Sequence, residues 1–276
     1  MKMFKYLMLI SSISFATLFP SLDNGNFFEL ISNLISVPKT YSNEINSLQI
    51  IYDTVKVKRH TRIGNDSAII NFYRKLELLK KGKLDSLKIF HMGDSHIKGK
   101  FFTGTIQDEF DKNYNGIKYK TFGINGASYK TFCDKIEYLD EIEKLKPDLI
   151  IISLGTNDAS GDTVLFNDFL NDVHEVISSI RDVKPDADIL ITTPPDYIKK
   201  GEINNNIPLI CNYLFIYCDD NDIAYWDLYG AMGGKGSCLR WIEDDLMAKD
   251  KIHFTKEGYE IQALMFYDDL MYVGYQ

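Results

Sequence analysis

The chain is short of the usual staples. Its 276 residues hold only four cysteines, Cys133, Cys211, Cys218 and Cys238, with no C-x-x-C pair and no His/Cys cluster at zinc spacing. That argues against a structural metal site and against a small disulfide-knotted fold. A chain of this length needs neither, because one core can bury about three quarters of its surface. Cys211 and Cys218 lie in a stretch that reads as helix, where seven residues span about 10 Å, beyond the roughly 7 Å reach of a disulfide. Buried free thiols are therefore expected, with the state of Cys133 and Cys238 left open.

Basic charge is also scarce. Lys and Arg number 31 against 39 Asp and Glu, a net charge of −8, which argues against a nucleic-acid partner, whose phosphates ask for a basic face. After the N-terminus there is no apolar run of the roughly 20 residues that a membrane span requires. The N-terminus itself reads as an address: Lys2 and Lys5 precede a mostly apolar run over 6–19, ended by Pro20. Residues 1–20 are expected to be a secretory signal peptide or, since no A-x-A site is visible, an uncleaved N-terminal anchor. Either places the body outside the cytoplasm: secreted, periplasmic or on the cell surface.

What is present is the mix of an ordinary folded domain, 45% hydrophobic and 25% charged. Residues 21–65 are rich in Asn and Ser and carry no sustained period, so they read as an arm. A helix is expected over 66–82, with Asp66 as its N-cap and Lys80-Lys81-Gly82 as its stop. The expected division is a leader at 1–20, an arm and packing helix at 21–85, and a domain at 86–276.

Within that domain, short apolar and β-branched runs at 87–92, 117–122, 149–154, 189–193 and 223–228 alternate with helical stretches at about 99–113, 129–145, 166–181, 204–220 and 256–270. This is the signature of a parallel sheet covered on both faces. In such a sheet the reactive groups collect beyond the carboxyl ends of the strands. Those positions hold Gly93-Asp94-Ser95-His96, Gly123-Ile-Asn-Gly126-Ala-Ser, Gly155-Thr156-Asn157-Asp158 and Thr193-Pro194-Pro195, and Asp250-Lys-Ile-His253 precedes the last helix.

A serine attacks a carbonyl only when a base takes its proton, and the base works only when its second nitrogen is held in the right tautomer. Ser95 stands on a strand-to-helix turn, and Asp250 and His253 are three apart, so one turn of chain can bring the carboxylate to Nδ1 and leave Nε2 free. Donors for the oxyanion are available in the Ser95 N–H, the Gly126 N–H and the Asn157 amide. These blocks, in this order, resemble the SGNH hydrolase superfamily, also called GDSL esterases and lipases. Gly93-Asp94-Ser95 matches the nucleophile block, Gly126 the glycine block, Gly155-x-Asn157-Asp158 the asparagine block, and Asp250-x-x-His253 the acid-base block. The resemblance implies a three-layer α/β/α, flavodoxin-like fold with a five-stranded parallel sheet in the order 2-1-3-4-5. It also implies ester hydrolysis through an acyl-serine with no cofactor and no metal.

His96 after the serine, the Asn125-Gly126-Ala127 turn and the glycine-rich 232–237 loop followed by Trp241 are similar to bacterial extracytoplasmic carbohydrate O-acetylesterases, including those acting on peptidoglycan. That implies an acylated carbohydrate substrate, with His96 and Trp241 as cleft candidates. Rival readings are a lipase or lysophospholipase of the same superfamily, an acyltransferase, and a non-catalytic polysaccharide-binding protein. Bland readings also exist: Ser95 as a plain N-cap, Asn157 and Gly155 as turn formers, Gly123 in place of Gly126, Asp94 and Asp158 as loop-ordering groups. His60, His91 and His174 read as structural.

Overall fold

The computed structural model of the chain describes residues 63–273. The expected leader, the arm up to residue 62 and His60 lie outside the described residues. The strands β2 (Leu87–Gly93), β3 (Ile117–Gly123), β4 (Leu149–Ser153), β5 (Asp188–Thr192) and β8 (Ala224–Trp226) run parallel, in the spatial order β3-β2-β4-β5-β8. Renumbered along the chain this is 2-1-3-4-5, as expected. The sheet nevertheless has six strands rather than five, because β1 (Ile63–Gly64) pairs antiparallel with β8, Ile63 opposite Trp226. Two residues flanked by polar chain carry too little alternation to read as a strand, so the sequence gives no warning of it. β1 and the following helix belong to the compact unit that begins at Thr61.

The central strands are continuous apolar runs because helices cover both faces: Leu149, Ile150, Ile151 and Ile152 are all buried, as are Ile189, Leu190 and Ile191. The edge strand β3 is only half-buried and carries Lys118 and Lys120, which discourage pairing with another chain. Helix α1 (Ile70–Lys80) follows a 3-10 turn over Asp66–Ile69, and Asp66 is not its cap. The buried carboxylate of Asp188 does that work from β5, its Oδ2 accepting the Phe72 N–H at 2.6 Å and its Oδ1 the Asn71 amide at 3.2 Å.

The crossovers are helical, as the periodicity predicts: α2 (Ser95–Lys98) and α3 (Phe101–Asn113) after β2, α4 (Tyr129–Asp134) and α5 (Glu137–Leu145) after β3, α6 (Phe166–Val183) after β4, and α7 (Asn206–Asp220) after β5. The single helix expected over 129–145 is broken at Lys135, whose extended backbone ends α4. A small hairpin, β6 (Ile198–Lys199) and β7 (Glu202–Ile203), precedes α7. After β8 come two short helices, α8 (Leu228–Met232) and α9 (Ser237–Glu243), and the last helix α10 (Lys256–Val273), which packs on α3. On α10, Asp269 accepts the Trp226 indole N–H at 2.9 Å, bonding the helix to the sheet.

From β2 the chain steps outward to β3 and then back across to β4. The strand order therefore reverses between β2 and β4, and the crevice beyond their carboxyl ends is where such sheets place reactive groups. β2 ends level with both neighbours, Gly93 opposite Gly123 and Ser153. The blocks after these three strands thus start from one line.

Candidate active site

The turn that carries Ser95 depends on close backbone approach. A Cβ at Gly93 would lie 2.4 Å from the Ser153 carbonyl oxygen, so only glycine lets β2 turn over β4 here. Asp94 caps the short helix α2, its Oδ1 accepting the His96 N–H at 2.9 Å, and Ser95 becomes the first helical residue. Asp250 folds its own loop in the same way, accepting the Ile252 N–H at 3.0 Å and the His253 N–H at 2.9 Å through Oδ1. This leaves Oδ2 free to meet His253 Nδ1 at 2.7 Å, and His253 Nε2 lies 2.8 Å from Ser95 Oγ. Three residues spread over 158 positions form one continuous hydroxyl–imidazole–carboxylate line.

The line is open to solvent, the His253 and Asp250 side chains being 36% and 49% exposed. Partial burial pushes the Asp250 carboxyl up, but the Ile252 N–H, the His253 ring and the His253 N–H outweigh it and hold the group below its ordinary value. It is therefore anionic wherever the imidazole needs a partner.

The asparagine block closes over the nucleophile block. Asn157 Nδ2 donates to the Ala127 carbonyl at 2.9 Å and to Asp94 Oδ2 at 3.3 Å, so one amide joins the loops after β2, β3 and β4. Gly155 holds φ at +118°, a value that L side chains rarely adopt, and so turns the loop towards Asp94. Asp158 Oδ1 accepts the Tyr129 N–H at 3.1 Å and orders the start of α4, just after Gly126. The Gly126 N–H makes no hydrogen bond among the described residues. Gly123, the rival for its place, ends β3 against the backbone of Lys98 and belongs to the strand.

Burial drives both supporting acids up to about 7, against the lowering pull of the His96 N–H on Asp94 and the Tyr129 N–H on Asp158. Asp268 on α10 is raised by burial to about 7 as well. An acid that ionises near 3.8 in the unfolded chain and near 7 in the fold binds its proton more tightly when folded, so stability falls as pH rises through that window. The buried His91 and His96, held down at about 3, pull the other way over much of that window, so the expected result is relative: between about pH 4 and about pH 7 Asp158→Asn should gain thermal midpoint with pH against the wild type, having lost one falling contribution. Melting curves at several pH values check this, and an equal slope in the variant would refute it.

One cleft candidate is corrected. Trp241 is 1% exposed, its indole N–H donating to the Met232 carbonyl at 3.3 Å, and it packs edge-on to Phe254 at 5.5 Å. The glycine-rich stretch before it is a turn over 233–236 between two short helices, α8 and α9, and the indole is core. His96 stays at the site, its ring centroid 5.0 Å from that of His253. Its Nδ1 lies 2.8 Å from the Tyr259 hydroxyl, and its Nε2 is buried.

His91 and His174 are structural, as expected: His91 lies between Tyr119 and Ser153, and His174 against Tyr217. Sequence reasoning missed Tyr259 as a partner of His96, because helical spacing marks it only as core. It also missed the anchoring of the 159–161 loop, where Asn204 and Asn206 donate to the Ala159 carbonyl and Asn206 also to that of Gly161. The four cysteines are free thiols. Cys133, Asp172 and Glu175 bring ligand atoms within 4.8 Å of one another, and burial with the Glu175 and Asp172 charges pushes the thiol up to about 12.

The model of the GDSL-like lipase/acylhydrolase family matches residues 89–266. The chain belongs to this family. Its fold is shared with a solved peptidoglycan O-acetylesterase, at 17% identity and a TM-score of 0.71 over 78% of this chain and 99% of that one. A lipase/acylhydrolase from Enterococcus faecalis is similar at 20% identity and 0.54, covering 66% and 93%, and an acetylxylan esterase from Geobacillus stearothermophilus at 16% and 0.53, covering 67% and 95%. Comparison with curated proteins gives no match. The matched span of the GDSL-like chain includes all four blocks, from Gly93 to His253.

Proposed function

We propose that the chain is an exported serine esterase that removes short acyl groups, O-acetyl in the first place, from a carbohydrate polymer. The observation that carries the reading is the Ser95–His253–Asp250 line at 2.8 and 2.7 Å, set at the point where the strand order reverses. In this reading His253 Nε2 takes the Ser95 proton as Oγ attacks the ester carbonyl, and Asp250 steadies the imidazolium that forms. The Ser95 N–H, the free Gly126 N–H and the Asn157 amide receive the developing oxyanion. Asn157 gives up one of its two resting partners to do so. His253 then passes the proton to the leaving sugar oxygen, giving an acyl-serine. Water, deprotonated by the same imidazole, releases the acid and restores Ser95.

Support for the acetyl group and the carbohydrate comes from the likeness to a peptidoglycan O-acetylesterase, over nearly the whole of that protein, and to acetylxylan esterases. The N-terminal address over 1–20 supports export. The test is turnover of aryl esters of increasing acyl length by the leaderless protein, followed by acetate release from O-acetylated glycans. We expect the rate to fall sharply beyond acetyl. A rate that rises with chain length would replace the reading with a lipase. Glycan binding with no turnover of any ester would replace it with a binding protein.

A further inference from the structure

Two hydrogen bonds fix the edges of the His253 ring, yet neither fixes its face. The Asp250–His253 pair is exposed, and exposed ion pairs hold weakly, typically by under about 1 kcal/mol. The face of His253 lies instead against the ring of His96, with centroids 5.0 Å apart and planes at 37°. His96 is itself locked on three sides. Its Nδ1 meets the Tyr259 hydroxyl at 2.8 Å, its ring packs on Phe254 at 5.9 Å, and its backbone N–H is held by Asp94. Tyr259, near the start of α10, is in turn stacked by Phe101 from the start of α3, at 6.3 Å and 22°. A row of rings thus runs from the α3–α10 contact to the imidazole on Ser95.

We propose that His96 is the positioning residue for His253: its buried ring is the wall on which the imidazole rests, and the Tyr259 hydroxyl fixes that wall. The inference rests on the esterase reading above and deepens it. Charge fits the part. Burial holds His96 down at about 3, with His253 adding a smaller push in the same direction, so the wall is neutral when His253 accepts its proton. The groups facing His96 are the uncharged Tyr259 hydroxyl, Asp94, His253 and, across the imidazole, Asp250. A cationic side chain at this distance would oppose the imidazolium that attack requires. His96 also lines a cavity of about 30 Å³, shared with Asp94, Thr156 and Gln262.

The test compares His96→Ala, His96→Phe and Tyr259→Phe, with Ser95→Ala beside them, on an aryl acetate across pH. The folded fraction of each variant is taken from its melting curve, so that loss of folded protein is separated from loss of turnover. We expect His96→Ala to lose on the order of tenfold to a hundredfold in kcat per folded molecule with KM little changed, and the acid limb of its pH profile to move. His96→Phe, which restores a neutral ring but not the bond to Tyr259, and Tyr259→Phe, which keeps the His96 ring and loses the same bond, should both fall between His96→Ala and the wild type. Wild-type kcat per folded molecule and an unmoved limb in both His96→Ala and Tyr259→Phe would overturn the proposal, as would a loss confined to KM or to the folded fraction. Full activity in Ser95→Ala would instead overturn the esterase reading itself, so the two failures are distinguishable.

Discussion

Ser95→Ala is expected to lower kcat on an aryl acetate by on the order of 10⁴- to 10⁶-fold, and His253→Ala by a similar factor. The hydroxyl and the imidazole act as a unit, so the double variant should be no slower than either single one. Neither substitution should disturb the fold. Ser95 caps nothing, since the cap of α2 is Asp94, and the His253 side chain is a third exposed, with only Asp250 and Ser95 as hydrogen-bond partners. Steady-state kinetics with matched melting curves decide the matter. A Ser95→Ala protein that keeps even a tenth of wild-type turnover would remove the acyl-serine step.

Asn157→Ala should cost about 10²- to 10³-fold in kcat, the scale of losing one oxyanion donor from a preorganised site. The loss falls on kcat because the amide is asked for only when charge develops on the carbonyl oxygen. A second consequence separates this residue from Ser95. Its amide also joins Ala127 to Asp94, so its removal leaves the Asp94 carboxylate short of a donor and loosens the turn beneath Ser95. A modest fall in melting temperature is therefore expected alongside the kinetic loss. Unchanged kcat with a lower melting temperature would make Asn157 a purely structural tie.

The five parallel strands were legible because central strands of a covered sheet are nearly pure Ile and Leu, and helices of more than two turns bridge them. The triad was legible because the three-residue offset of Asp250 and His253 is set by a local loop, in which the carboxylate ties down the two N–H groups that follow it. What sequence did not show are features decided across space. Trp241 follows a glycine-rich stretch that reads as loop, yet the left-handed Gly233 and Gly236 end and start helices there, and the indole is drawn into the core. His96 sits beside the nucleophile in sequence, but its ring bonds to Tyr259, 163 residues later, a partner that no local pattern marks. The two-residue β1 carries no periodicity at all and exists only because the edge of β8 is free to pair.

The distance along the chain between Ser95 and His253 also sets an order in time. The hydroxyl leaves the ribosome 158 residues before the imidazole that would activate it, an interval of roughly 8–30 s at about 5–20 residues per second. Helix α10, whose first turn carries Tyr259, emerges later still. Throughout that interval Ser95 is an ordinary alcohol, and a nascent chain can fold much of its sheet with no power to open an ester.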